Sequence, residues 1–306
     1  MKQNRHQNIM FEGALKSIDT EDPVDLLFFR PIGYRCALFF HKLGLLPNTI
    51  TVISILLGIS SGFFLYFEDI WYNIIGVSLL LCTHLLDCTD GQLARMIGRF
   101  SRSGRILDRL SGCVWSISVY VALCLRLMNS GWDFSVFFLA LITGYFHLRQ
   151  ASAIDYYRNF YFLFSWKRSV CELEYKTRLH LKYKRLSWKT DFFRKFLLFF
   201  YLQYTVSQER FTPDMQELRR LLKKRFGNNI PDWLREQFKE KSIPLMMYGN
   251  MLSFNIRIIT LFIAVLLNIL WLYFLFELTI LNMILFYLIY RYEKVCRYFI
   301  EKLNQT

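Results

Sequence analysis

The sequence contains no Cys-x-x-Cys pair, no cluster of cysteine with histidine and no internal repeat. Its seven cysteines, Cys36, Cys82, Cys88, Cys113, Cys124, Cys171 and Cys296, are odd in number and scattered. Several sit in apolar runs, where a thiol behaves as a small hydrophobe. A disulfide framework and a zinc site are therefore not expected. The opening MKQNRHQNIMFEG has no apolar stretch, so no cleavable signal peptide is expected there. Acid is scarce beside base: 38 Lys+Arg minus 24 Asp+Glu leaves +14. What abounds is apolar surface, with 54% hydrophobic residues, 18% aromatics and 30 Phe. A soluble chain sits near 45–50% even with glycine counted. The aromatics, the 14 Gly and the missing repeat exclude disorder, collagen and coiled coil. A nucleic-acid binder would not need long apolar spans beside its basic stripe, so no nucleic-acid partner is expected. Apolar and basic together indicate an all-α, polytopic membrane bundle with cationic parts facing an anionic leaflet.

A membrane helix needs about 20 mostly apolar residues. Six such runs are expected: Asn48 to Phe67, Tyr72 to Met96, Gly104 to Met128, Trp132 to Ile154, Leu252 to Leu267 and Trp271 to Tyr290. Arg30, Arg35 and Lys42 precede the first. Arg95, Arg99, Arg102 and Arg105 separate the second and third, and Arg291, Lys294, Arg297 and Lys302 follow the sixth. The opposite connectors carry Glu68, Asp69, Asn129 and Asp133. The excess of cations on one side predicts cytoplasmic termini, with Arg126 the exception. The chain thus divides into an N-terminal interfacial segment (1–46), four spans (47–154), a basic cytoplasmic insert (155–248) and two further spans with a tail (249–306).

From Arg158 to Lys241 there are 20 Lys/Arg and 9 Asp/Glu, a net of +11. The first half mixes cations with aromatics, as in FYFLFSWKR and FFRKFLLFFYLQY. That pattern predicts helices lying on a bilayer surface. The second half predicts a helix with Thr212 as N-cap, Pro213 at its first position and Gly227 as its stop. Leu218, Leu221, Leu222 and Phe226 share one face of it. A solvated basic cap and a substrate-specific lid are both compatible with the insert. Before the first span, Asp25, Arg30, Pro31 and Arg35 flank Leu26 to Phe29, the pattern of an amphipathic helix entering the interface. Gly58 and Gly62 form a small-xxx-small pair, suited first to packing within the bundle and second to a homodimer.

The chemistry lies in LLDCTDGQLARMIGRFSRSGRILDRLSG, residues 85–112. Asp87 and Asp90 are three apart at a helix end. Gly91 and Ala94 extend the same face. Gly104 and Asp108 are four apart at the start of the next helix. A helical hairpin would bring three carboxylates to one spot at the membrane boundary, where ionised groups are costly unless paired or functional. Oxygen ligands alone select hard ions, Mg2+ or Mn2+, over zinc. Such an ion typically bridges phosphate oxygens, and the small residues leave room for a ligand against the backbone. His84, one turn before Asp87, is expected to pack beside the site. Glu277 is expected against a partner helix or the outer connector.

This stretch resembles the signature of the CDP-alcohol phosphatidyltransferase family, D-x2-D-G-x2-A-R-x8-G-x3-D-x3-D. Asp87, Asp90, Gly91, Ala94, Arg95, Gly104 and Asp108 match it, and LGLLPNTIT before the first span looks like that family's entry to its first helix. The resemblance implies an acceptor hydroxyl attacking the β-phosphorus of a CDP-linked lipid such as CDP-diacylglycerol, with CMP leaving. It assigns Asp87, Asp90 and Asp108 to the divalent ions and the catalytic centre. It assigns Asp90, Gly91, Ala94, Arg95 and Gly104 to the nucleotide. The last signature aspartate is missing: Gly112 stands there, next to Ser111, a poor base, and Cys113, a soft ligand. Asp155 is a candidate substitute. A polar alcohol, foremost inositol phosphate or inositol, is the expected acceptor. Arg149 and Arg257, with His147, Arg102 and Arg105, are the cations that could meet a phosphorylated one. The alternative is a weak or inactive relative that binds CDP-lipid or serves as a partner subunit.

Overall fold

In the computed structural model, residues 18–98, 102–164, 176–227 and 229–305 are described. Among them every regular element is helical. The helices are α1 (Arg30–Lys42), α2 (Pro47–Leu65), α3 (Ile70–Met96), α4 (Arg102–Asn129), α5 (Ser135–Phe164), α6 (Lys176–Arg185), α7 (Phe192–Phe211), α8 (Pro213–Phe226), α9 (Asp232–Met251), α10 (Phe254–Leu266), α11 (Leu270–Leu278) and α12 (Ile280–Gln305). A π-helical turn, Asp25–Phe29, leads into α1. The chain divides into two compact units, 1–148 with 253–281, and 149–252 with 282–306. The FYFLFSWKR run is described only as far as Phe164, and Arg99 and Cys171 lie outside the described residues.

Five segments are long and apolar enough to cross a membrane: Pro47–Leu65, Ile70–Met96, Leu110–Asn129, Asp232–Leu266 and Leu270–Gln305. The expected fourth span, α5, is longer than predicted at 30 residues. Its middle carries His147, Arg149 and Gln150, which dilute its apolar character. The expected sixth span is divided at Thr279 into α11 and α12.

In the first unit, α2 turns small and polar residues inward and apolar ones outward, beside an apolar core that includes Leu80, Leu123 and Phe274. On α2, Thr51, Ser54, Gly58, Ser61 and Gly62 are buried while Leu56 and Phe63 face outward. A Cβ on Gly58 would stand 2.5 Å from the Trp115 Cβ of α4, and one on Gly62 would stand 2.7 Å from the Ser118 carbonyl. The pair therefore serves contact within this chain, sealed by Ser118 Oγ donating to the Ile59 carbonyl at 3.1 Å. The α1 segment is equally inverted. Leu27, Phe28, Phe39 and Leu43 are exposed, while Asp25, Gly33 and Ala37 are buried. Asp25 accepts from Asn255 Nδ2 at 3.0 Å and lies 3.1 Å from His84 Nε2. Burial raises the Asp25 carboxyl, but His84 and Asn255 outweigh it and hold the group below the usual carboxylate range.

Arg126, the exception to the charge rule, is fully buried. It donates to the Phe67 carbonyl at 3.1 Å, Asn73 Oδ1 at 3.0 Å and Asn268 Oδ1 at 2.7 Å. Its cation meets the carbonyl end of α2, where helix polarity favours positive charge. Asn268 sits at φ 54°, a left-handed conformation that asparagine tolerates better than most residues.

The second unit has its own core. Met215, Leu218 and Leu222 of α8 and Leu234 and Phe238 of α9 are buried, and Phe238 stacks on Phe164 at 3.7 Å between centroids. Gly227 ends α8 at φ 55°. The expected side-chain cap differs. The Thr212 hydroxyl turns back to the Gln208 carbonyl at 2.8 Å, and Glu293 of α12 accepts the Asp214 and Met215 amides at 2.8 and 3.3 Å. A carboxylate from another helix thus replaces the local cap.

Arg126→Met should lower the melting point of the detergent-solubilised protein. At about 0.6 kcal/mol per interhelical hydrogen bond in a membrane protein, three bonds amount to about 2 kcal/mol. Arg126→Lys should recover part of the loss. An unchanged melt for Arg126→Met would show that this network does not hold the connectors.

Candidate functional site

Two neighbouring helix ends build the site. Asp69 starts α3 by accepting the Trp71 amide at 2.7 Å, and Gly98, at φ 64°, follows its C-terminus. Between them Asp87 and Asp90 fall on the face toward α4, which supplies Asp108. One carboxylate oxygen from each of the three lies within 4.8 Å of the other two. Asp90 is buried, Asp87 half-buried and Asp108 exposed, so the cluster has a protein floor and an open side.

Thr51 was not foreseen. Its hydroxyl lies 2.5 Å from Asp90 Oδ2 and 3.1 Å from the Pro47 carbonyl, so its one proton serves the carboxylate at the shorter distance. The signal available was the small polar stripe Thr51, Ser54, Ser61 on an otherwise apolar helix. Ser111 Oγ donates to the Asp108 carbonyl at 2.7 Å and lies 3.3 Å from Asp87 Oδ1.

Gly91, Ala94 and Gly104 are half-buried beside the carboxylates in sequence. The Arg95 guanidinium folds over Gly91, its two terminal nitrogens each 3.5 Å from where a Cβ would stand. Below it, fully buried Gln92 donates to the Arg30 carbonyl at 3.0 Å, and Arg30 bonds Glu21 at 2.8 Å. The N-terminal segment is thereby pinned to the end of α3. A Cβ on Gly33 would stand 2.9 Å from Gln92 Oε1, so α1 crosses α3 closely at that glycine. His84 lies flat against Phe254 at 4.2 Å and edge-on to Phe29, packed beside the site as expected.

At Gly112 the nearest atom to an added Cβ is Trp115 Nε1 at 3.9 Å. Among the described residues, no steric demand against a Cβ accounts for the glycine.

The two cations considered for the acceptor, Arg257 and Arg149, belong to different units. Arg257 is buried, with Nη1 2.7 Å from Glu277 Oε2 and 2.9 Å from His147 Nδ1. Tyr120 donates to the same Glu277 oxygen at 2.7 Å. Arg257, His147 and Tyr120 line a small cavity with Trp115, Phe254 and Tyr273. Glu277 thus meets partner helices, the first of its two expected settings. Arg149 belongs to the second unit, where it lies 5.9 Å from the Phe211 ring. Asp155 belongs to that unit too. The side chains of Arg102 and Arg105 lie outside the described residues.

Residues 44–158 match the CDP-alcohol phosphatidyltransferase family model. This segment carries all three aspartates, Thr51 and Gly112. It covers less than half of the chain and leaves α6 to α12 outside. No curated protein and no solved structure matches the chain.

The donor set fits a divalent ion of the kind this family generally uses. Its three groups are hard oxygens, and their spread suits a small cation: at 2.0–2.1 Å per bond, opposite ligands of Mg2+ stand about 4.2 Å apart. The protein should melt higher in Mg2+ or Mn2+ than in EDTA, by about 2.7 kcal/mol at a hundredfold excess over Kd. Asp108→Asn should abolish that increment while melting no lower than the parent in EDTA, since one like charge is gone. Equal melts of the parent with and without ion would remove the metal assignment.

Proposed function

We propose that the chain transfers a phosphatidyl group from a CDP-linked lipid, such as CDP-diacylglycerol, to a polar alcohol, with inositol phosphate or inositol foremost. The observation that carries this reading is the meeting of Asp87, Asp90 and Asp108 within the matched segment. The acceptor oxygen bonds to the β-phosphorus, the bond from that phosphorus to CMP breaks, and the hydroxyl proton leaves to a base. Asp87, Asp90 and Asp108 hold Mg2+ or Mn2+, which supplies Lewis acidity and charge balance on the pyrophosphate. Thr51 orients Asp90 so that a free lone pair faces the open side. Gly91, Ala94 and Gly104 let the nucleotide approach the backbone, and Arg95 offsets phosphate charge with its forked donors. Both termini and the insert 155–248 face the cytoplasm in this reading, for which the basic connectors argue.

The acceptor reading rests on cations. Arg257 already has its charge engaged by Glu277, so neutral inositol must be tested beside inositol phosphate. Arg149 is kept as the other candidate.

Gly112 favours a second reading, a weak or inactive relative. No carboxylate stands where the family signature has its last one, and general-base help is worth about 10²–10⁴-fold. A loose phosphoryl-transfer transition state needs little early deprotonation, so slow turnover is the expected outcome. CMP release from CDP-diacylglycerol, measured across serine, glycerol phosphate, inositol and inositol phosphate at varied Mg2+ and Mn2+, tests the first reading. No release with any acceptor, together with retained CDP-lipid binding, would establish the second. Gly112→Asp has room for its side chain and should raise turnover and lower the metal concentration required. A folded Gly112→Asp protein with an unchanged metal curve would show that position 112 is not the lost catalytic position.

A further inference from the structure

The second unit carries its charge unevenly. Between residues 176 and 211 there are nine Lys/Arg and two acids, Asp191 and Glu209. This is the α6–α7 hairpin. Its turn is a built element: Lys195 Nζ of α7 donates to the Leu186 carbonyl at 2.7 Å and lies over the rings of Tyr183 at 4.9 Å and Trp188 at 5.3 Å.

Helix α7 has two faces. Leu202 and Thr205 are buried. Phe192, Phe196, Phe199 and Val206, at steps of four, three and seven, form an exposed stripe. Trp188, in the turn, is also exposed. Arg194, at the start of α7, is 81% exposed, and Lys184, Arg185 and Lys189 are exposed at the end of α6 and in the turn. Helix α7 has 20 residues, enough to cross a bilayer, yet it is not among the segments apolar enough to do so. Exposed aromatics on one side with cations at the rim describe a helix lying in the plane of a membrane surface.

We propose that the α6–α7 hairpin docks on the anionic lipid surface of the bilayer that this chain spans. The proposal is independent of the phosphotransfer reading. Charge complementarity selects the occupant: nearly one-signed charge suits an anionic leaflet, where each Lys/Arg contributes about 1 kcal/mol. A bilayer is at hand, because the same chain supplies five helices fit to cross it. The rest of the insert is different in kind, since α8 and the first half of α9 bury Met215, Leu218, Leu222, Leu234 and Phe238 in the core of their own unit. The surface role therefore belongs to 176–211 and not to the whole basic insert.

The test uses the full chain in lipid nanodiscs, of phosphatidylcholine alone or with phosphatidylserine added. Amide hydrogen exchange is followed over 179–211, with α8 and α9 as internal reference. Exchange in α7 should slow about tenfold in the anionic discs, the equivalent of about 1.4 kcal/mol, and the protection should fall in high salt. The triple variant Arg185→Glu, Lys189→Glu, Arg194→Glu should lose the lipid dependence while its reference helices exchange as in the parent. Equal exchange in the two discs would overturn the proposal and favour a protein partner. Lipid dependence retained by the triple variant would overturn its assignment to this hairpin. Phe196→Ser, which keeps every charge, should lessen the protection in anionic discs, and full protection would exclude the aromatic stripe from the contact.

Discussion

Three carboxylates with ligand oxygens within 4.8 Å of one another are the constraint around which the first unit is arranged. Like charges at that distance repel strongly wherever water is scarce. The fold lowers the cost in two ways. It gives Asp90 a hydroxyl donor from α2, and it leaves the cluster open on the Asp108 side. The remaining demand is for a cation, the part that a divalent ion would take. Helices α2, α3 and α4 must approach closely for the cluster to form. Gly58 and Gly62 against Trp115 and Ser118 allow that approach.

The same unit holds two further cations inside the bundle, Arg126 and Arg257. Arg126 gathers two connectors and the end of α2, and Arg257 with Glu277 joins α10 to α11 while Tyr120 brings in α4. In a lipid environment the alternative to such pairing is an unsatisfied group in hydrocarbon. A cation there need not mark a substrate contact. Arg257 shows this, since its nearest partners are a carboxylate and a histidine of its own bundle.

Two stretches of the second unit place their apolar residues differently. Helices α8 and α9 bury Met215, Leu218, Leu234 and Phe238, and Glu293 closes the N-terminus of α8. Helix α7 instead leaves aromatic residues outside. Both stretches are basic, so charge alone does not separate them. Which face of each helix is covered does.

The sequence by itself determined the all-helical membrane class, through apolar runs of spanning length, and the sharing of one helix face by Asp87 and Asp90, whereas the packing of α4 brings Asp108 to them. Spacings of three and four residues place side chains on one helix face whatever the surroundings. It also determined the vacancy at Gly112, a matter of identity and not of shape. Tertiary structure alone decided the partner of Asp90, because Thr51 is 39 residues away and only the crossing of α2 and α3 joins them. It decided the cap of α8, where Glu293 is supplied from about 80 residues downstream. It decided the fates of Arg126 and Arg257, cations whose partners come from distant helices. A helix period is a local property of the chain, whereas the group that neutralises a buried charge is chosen by packing, and packing is long-range.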